Sequence, residues 1–123
     1  MIMQMARLAK TPTGIPSDAT LLPYLKSLRF ESDHSLVAFT RPDIIGEVWR
    51  LVEVLRAAPL GFRPEAAYSL HKLNGKMKDY LECHLEGDLL LVFRYLKVPD
   101  EKGTVREHLL LHRLGTHNKV FGR

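Results

Sequence analysis

Apolar residues in the first half of the chain recur with helical spacing over one segment. The spacing predicts a core-facing helix over residues 43–57. Its apolar stripe consists of Ile44, Val48, Leu51, Val52 and Leu55. Thr40, with Asp43 three residues later, resembles a capping box at the start of the helix. Pro59 and Gly61 follow the last apolar position and end it.

The remainder of the first half has weaker patterns. Residues 11–23 contain three prolines and a glycine, which is typical of a connector. Asp18 or Ser17 could cap a helix over about residues 18–28. Residues 35–40 (SLVAFT) are expected to form a short strand.

From residue 68 the pattern becomes that of strands. Residues 80–85 alternate between polar and apolar positions, and residues 89–96 are almost continuously apolar, as in a central strand covered on both sides. The predicted strands are 68–73, 80–85, 89–96 and 106–114, separated by turns at 74–75, 86–88 and 99–103. We therefore expect an α+β domain, with N-terminal helices packed on an antiparallel sheet of about four strands.

Length and composition narrow the class of protein. A chain of 123 residues with 46% apolar and 26% charged residues is expected to form one globular domain. The net charge of +4 favours an anionic partner. The single cysteine, Cys83, excludes an internal disulfide and a cysteine-based zinc site, and we expect it to be a buried core residue. No apolar run reaches the roughly 18 residues that cross a bilayer. We therefore expect a cytoplasmic protein with no membrane association.

Several polar residues stand at the ends of the predicted strands. Alternate turns of an antiparallel sheet fall at the same end, so these residues could converge. Imidazole, carboxylate and guanidinium groups together can move protons and hold a phosphate without a metal ion, which is what cleavage of RNA by its own 2′-OH requires. The alternative, half-exposed structural histidines, stays open at this point. The candidates are His71, His84, Asp88, Arg113 and His117.

Two further groups of residues have open interpretations. His108 and His112 would share a strand face, but no third ligand accompanies them, so no metal site is predicted. Lys72, Lys76 and Lys78 surround the predicted turn at 74–75 and could either bind phosphates or form a solvated loop.

A series of short motifs in the second half resembles the YafQ branch of the RelE/ParE toxin superfamily. That family shows a His-x-Leu-x-Gly motif, a Tyr, a strand with His, an Asp after a short turn, and a final Arg-x-Gly-Thr-His followed by Phe-Gly. Leu89 stands where the family has a tryptophan. The matching residues are His71–Gly75 (HKLNG), Tyr80, His84, Asp88, Arg113–His117 (RLGTH) and Phe121–Gly122.

The resemblance implies a bacterial toxin that cuts mRNA in the ribosomal A site, with no metal and no cofactor. Its partners would be mRNA, the ribosome with its rRNA, and an acidic antitoxin whose C-terminal segment wraps the basic face. By position, Arg113 would neutralise the transition-state phosphate. The acid and base roles would fall to His84, Asp88 and His117, with His117 favoured as the acid. Substrate contacts are expected from His71, Lys76, Lys78 and Phe121.

The domain organisation is expected to be one toxin domain over residues 1–123. Within it, residues 68–123 would form the sheet that carries the active site. Residues 1–34 could be an appended segment that docks on the sheet or mediates self-association. Two alternatives to the nuclease remain: a ParE-like toxin that inhibits gyrase by binding, and a homologue that has lost catalysis.

Overall fold

A computed structural model describes residues 14–122. It contains one mixed sheet of five strands in the order β1-β5-β4-β3-β2, together with three α-helices. Short 3-10 turns cover Pro42–Ile44, Ala58–Leu60, Ala66–Tyr68 and Gly75–Met77. In chain order the elements are β1 (Tyr24–Lys26), α1 (Leu28–Thr40), α2 (Ile45–Arg56), β2 (His71–Lys72), β3 (Leu81–His84), β4 (Leu89–Pro99), β5 (Val105–Thr116) and α3 (His117–Phe121).

The main core lies between the sheet and the first two helices. All five apolar positions of the predicted α2 stripe are buried, so that prediction is confirmed. They pack with Phe30 and Val37 of α1 and with Leu91 and Phe93 of β4. Since side chains alternate along a strand, the neighbouring Val92 faces the other side of the sheet. That second face carries the polar residues of the candidate site.

The C-terminal strands confirm the α+β class and most of the predicted sheet. Strands β3, β4 and β5 form an antiparallel meander, and β4 is central, with its first five residues buried. The sheet differs from the prediction in having a fifth strand, β1, which pairs in parallel with residues 109–111 of β5. The predicted strand 68–73 is reduced to the two residues of β2.

Two N-terminal predictions are wrong. Residues 18–27, nearly all of the expected helix over 18–28, are not helical, and residues 35–40 form the second half of α1 and not a strand. The chain changes from strand to helix at Ser27, whose Oγ accepts a hydrogen bond from Phe30 N at 2.9 Å. The amphipathic pattern of α1 is hidden in the sequence because one of its three buried positions is a carboxylate, Asp33.

The expected capping box before α2 is also absent. Thr40 belongs to the last turn of α1, where its Oγ1 donates to Leu36 O at 2.8 Å. Asp43 is paired with Arg41 at 3.1 Å on the surface. The helix start is therefore set by Pro42 in the first turn and not by Thr40.

Residues 24–34, which the sequence analysis assigned to a segment that could be appended, form β1 and the first half of α1. Residues 1–13 of that segment lie outside the described residues. Within residues 14–122, no helix combines the length and apolar character needed to cross a membrane.

Candidate active site

Three polar side chains from two neighbouring strands meet on the sheet face opposite α1 and α2. In the ladder between β2 and β3, His71 lies directly opposite Glu82. His84 is two residues further along β3 and therefore shares the face of Glu82. We call these three residues the imidazole cluster. Two of them, His71 and His84, are residues that the sequence analysis selected.

A single carboxylate oxygen joins the two imidazoles. Oε2 of Glu82 lies 3.0 Å from Nε2 of His71 and 3.0 Å from Nε2 of His84. The Glu82 side chain is only 5% exposed, whereas those of His71 and His84 are 48% and 39% exposed. A buried carboxylate thus orients two imidazoles that remain open to solvent. The sequence analysis did not select Glu82, although the alternation over 80–85 places it on the same face as His84.

The two rings differ in their hydrogen-bond partners. Nδ1 of His71 lies 2.7 Å from the carbonyl oxygen of Ser69, and its Nε2 faces Glu82. Both partners of His71 are therefore acceptors. His84 has an acceptor only at Nε2 within the described residues, so its Nδ1 is not engaged there.

The imidazole cluster also has the donor set of a metal site. Its three ligand atoms lie within 4.8 Å of one another, the one such group found within residues 14–122. Two imidazole nitrogens and a carboxylate oxygen suit zinc or copper and leave coordination positions open. In addition, Oε1 of Glu82 is buried and has no hydrogen-bond partner in the described part of the chain.

The other histidine pair considered from the sequence, His108 and His112, is not part of such a group. His108 is buried, and its Nδ1 lies 2.9 Å from the carbonyl oxygen of Arg106. A bulge in β5 makes His112 an extra residue with no direct partner on β4, and its ring lies 4.5 Å from that of Tyr80.

Arg113 is buried and ion-paired. Its Nε donates to Oδ2 of Asp33 at 2.7 Å, and its Nη2 donates to Oδ1 at 3.3 Å. Nη1 and Nη2 also donate to the carbonyl oxygens of Val120 and Lys119. Oδ2 of Asp33 accepts a further bond from Leu114 N. We call Asp33 and Arg113 the closed pair, because their polar atoms are engaged within the protein.

The last helix carries His117 and Phe121, whose ring centroids are 4.9 Å apart. Thr116 caps this helix by accepting a hydrogen bond from Lys119 N. Helix α3 packs closely on β5: a Cβ atom built on Gly115 would lie 3.2 Å from the Lys119 side chain. The absence of a side chain at Gly115 therefore permits this packing.

The packing places α3 on the same sheet face as the imidazole cluster. Gly115 is opposite Leu90 on β4, and Leu90 is opposite His84 on β3. Two strand spacings, about 10 Å, therefore separate His84 from Gly115, the residue on which α3 packs. His117 on α3 and His84 on β3 consequently border the same face of the sheet.

Three predicted site residues lie outside this arrangement. Asp88 is exposed in the turn between β3 and β4, close in sequence to His84. Lys76 and Lys78 are exposed in and after the Gly75–Met77 turn. None of their side chains forms a hydrogen bond or ion pair within residues 14–122, so the structure leaves them available to a partner but not joined to the imidazoles.

Burial changes the acid–base properties of two residues near the cluster. It raises the pKa of Cys83 to about 12, so this thiol is a core residue, as expected, and not a nucleophile. Burial also lowers the pKa of His112, and the positive charges of Arg113 and Arg29 act in the same direction. His112 is therefore neutral at physiological pH.

Comparison with known proteins identifies the family of this chain. Residues 24–122 match the family described as the bacterial toxin of the type II toxin–antitoxin system, YafQ. The chain belongs to the YafQ family. The family resemblance drawn from the sequence motifs is thereby confirmed, and the match includes β1 and α1 as well as the sheet.

Individual relatives agree with the family assignment. A Haemophilus influenzae protein assigned as a YafQ toxin is 36% identical over 53 residues, 43% of this chain and 47% of that protein. The match thus spans about half the length of this curated relative.

Two solved structures share the fold over most of the chain. YafQ in the Escherichia coli DinJ–YafQ complex is 26% identical, with a TM-score of 0.63 over 82% of this chain and 99% of that one. A metal-bound toxin from Helicobacter pylori is 28% identical, with a TM-score of 0.59 over 82% of this chain and 100% of that one.

The YafQ-family motifs correspond to the observed site. His71 and His84 form the imidazole cluster, while His117 and Phe121 lie on α3. Leu89, which replaces the family tryptophan, is buried in the core between the sheet and α1 and α2. Its side chain is thus part of the hydrophobic packing and not of the open face.

Proposed function

We propose that this YafQ-family toxin is an endoribonuclease that cuts mRNA on the ribosome by a metal-independent reaction. The observation that carries this proposal is the pair of solvent-open imidazoles bridged by the buried Glu82. In the reaction the ribose 2′-oxygen attacks the adjacent phosphorus while the bond from phosphorus to the 5′-oxygen breaks. The products are a 2′,3′-cyclic phosphate and a free 5′-hydroxyl.

The proton movements follow from the hydrogen bonds of the site. Nδ1 of His84 takes the proton from the 2′-hydroxyl, because Glu82 holds the opposite nitrogen as the N–H donor. His71, which Glu82 and the Ser69 carbonyl oxygen hold beside His84, contacts the substrate. His117 gives its proton to the leaving 5′-oxygen, and Asp88 assists in the acid–base steps. Phe121 stacks on a base beside His117.

Arg113 remains a predicted contributor, but its surroundings favour an indirect role. Its guanidinium donates to Asp33 and to two carbonyl oxygens of α3. In this position it holds α3, and thus His117, against β5. Direct neutralisation of the phosphate by Arg113, as the resemblance implies, would require these contacts to be exchanged for the substrate.

The proposed partners are an acidic antitoxin, mRNA and the ribosome. The E. coli relative is found in a complex with DinJ, which supports an antitoxin partner for this chain. The net charge of +4 suits either an acidic protein or a nucleic acid. The exposed Lys76 and Lys78 would contact phosphates of the mRNA or rRNA backbone.

We also propose that zinc inhibits the enzyme by binding to the imidazole cluster. The H. pylori relative is metal-bound, and His71, Glu82 and His84 present their donors within one coordination sphere. Zinc held by the Nε2 atoms of both histidines would displace their contacts with Glu82, which orient His84 Nδ1 for proton uptake. Zinc is thus proposed as an inhibitor of the metal-independent reaction and not as its cofactor.

Cleavage in programmed ribosomes tests the nuclease. The purified toxin is expected to cut end-labelled mRNA in the A site and to leave 2′,3′-cyclic phosphate ends. His84→Ala and His117→Ala should each lower the cleavage rate by about 10²–10⁴-fold, the range for lost acid–base catalysis. Asn118→Ala, which changes the neighbouring exposed residue of α3, should retain the wild-type rate.

Growth arrest without transcript cleavage, unaffected by both histidine variants, would contradict the nuclease proposal. That result would favour a toxin that acts by binding, such as a gyrase inhibitor.

A further inference from the structure

A second guanidinium lies on the open face of the sheet, and it differs from Arg113 in having no partner. The Arg94 side chain on β4 forms no hydrogen bond within residues 14–122, and no carboxylate of that part lies within 4.0 Å of it. Of its guanidinium nitrogens, only Nε is both closed off from solvent and unpartnered. Nη1 and Nη2 have no acceptor within residues 14–122 either, so these two donors are available to an anion.

The strand register places Arg94 beside the imidazole cluster. Glu82 is opposite Val92, and Arg94 lies two residues further along β4 on the same face. The separation along the strand is about 7 Å, the distance of two strand residues. Arg94 is therefore one side-chain row away from the bridging carboxylate.

One aromatic ring contacts this guanidinium, and a second ring packs against the first. The Arg94 Cζ atom lies 5.5 Å from the centroid of the Tyr80 ring, which is a cation–π contact. The other ring, that of His112, is 4.5 Å from Tyr80. His112 adds no positive charge because its pKa is lowered. Arg94 is thus held against the Tyr80 ring, without the competing carboxylate that engages Arg113.

We propose that Arg94 binds an RNA backbone phosphate next to the scissile one, with Tyr80 as its positioning residue. The proposal rests on the nuclease function, since it takes RNA as the substrate crossing the imidazole cluster. A guanidinium with free donors matches a phosphate oxygen pair in geometry and charge. The bound strand would run from α3 across the imidazole cluster towards Tyr80.

The test measures binding of a short RNA with 2′-O-methyl riboses, which cannot be cleaved. Arg94→Gln should weaken binding about tenfold and reduce the slope of log affinity against log salt by about 0.7, the loss of one single-strand phosphate contact. Tyr80→Leu should weaken binding in the same direction, whereas Tyr80→Phe keeps the ring and should bind like wild type. Arg106→Gln, an exposed arginine near the far end of β5, is the charge-matched control and should change neither value.

Equal RNA affinity and salt slope for wild type and Arg94→Gln would overturn the proposal, as would an equal loss in Arg106→Gln. Cleavage of unmodified mRNA in ribosomes is measured in parallel. If wild type cleaves but Arg94→Gln binds and cleaves normally, the phosphate site is wrong and the nuclease stands. If wild type binds RNA through Arg94 but cleaves nothing, the nuclease is wrong and the phosphate site stands.

Discussion

The closed pair and the imidazole cluster are both built on buried carboxylates, yet they differ in what remains open. Asp33 and Arg113 direct their polar atoms to one another and to backbone groups, and their side chains are 4% and 9% exposed. Glu82 is as buried as Asp33, but it holds two imidazoles that are more than a third exposed. Saturated hydrogen bonding indicates a structural role, while donors and acceptors left facing solvent indicate a binding or catalytic one.

The largest effect is expected from breaking the closed pair. Asp33→Ala should lower the free energy of unfolding by about 3–5 kcal/mol, because it leaves the Arg113 charge buried and unpaired. The exposed pair between Arg41 and Asp43 provides the control, and Asp43→Ala should cost less than about 1 kcal/mol. Urea denaturation followed by circular dichroism measures both.

A double substitution separates the cost of the lone charge from lost packing. Asp33→Leu combined with Arg113→Met should recover much of the stability, since apolar residues of similar volume can replace a buried ion pair. If Asp33→Ala destabilised the protein no more than Asp43→Ala, the structural role of the closed pair would be wrong.

How far the sequence predicts each region depends on how local its pattern is. Strands β3 to β5 follow from alternation and turn residues within short windows, so they could be predicted. Strand β1 has only three residues, all exposed, and exists through its pairing with residues 109–111 of β5. Its formation depends on a partner more than 80 residues away, which no local pattern reveals.

The two carboxylates show the same limit for the candidate site. Glu82 could be placed on the face of His84 by alternation, but its contact with His71 depends on the two-residue strand β2. Asp33 is 80 residues from Arg113 in sequence, and it occupies a helix position where an apolar residue is expected. The sequence therefore yields the candidate site residues, but not which carboxylate contacts His71, His84 or Arg113.

An intermediate effect is expected from zinc at the imidazole cluster. Micromolar zinc should slow cleavage, and EDTA should restore the rate. Glu82→Gln should weaken zinc binding by at least about tenfold, because loss even of groups that only support metal ligands costs 10–100-fold. Competition with a chromophoric chelator measures the affinity directly, independently of activity.

Unfolding the zinc-site variants in urea compares the contribution of the imidazole cluster to stability with that of the closed pair. His112→Phe, which changes a histidine outside the cluster, should bind zinc like wild type. Equal zinc affinity for wild type and His71→Ala would show that the metal binds elsewhere.

The smallest effect concerns His112, whose pKa depends on the charges of both members of the closed pair. Its pKa is lowered from 6.5 by burial and by Arg113, while the negative charge of Asp33 raises it. In the unfolded chain the ring has its ordinary pKa, so between that value and the lower folded one only the unfolded state binds the proton. Stability from this group is therefore complete above pH 6.5 and decreases as the pH falls through that window.

An NMR titration of the His112 ring should give a midpoint below 6.5. The midpoint should be lower still in Asp33→Asn, because the Asp33 charge no longer offsets that of Arg113. Asp43→Asn should leave the midpoint unchanged, because that carboxylate does not contribute to the His112 shift. A midpoint that moved equally in both variants would mean that His112 reports net charge and not its buried neighbour.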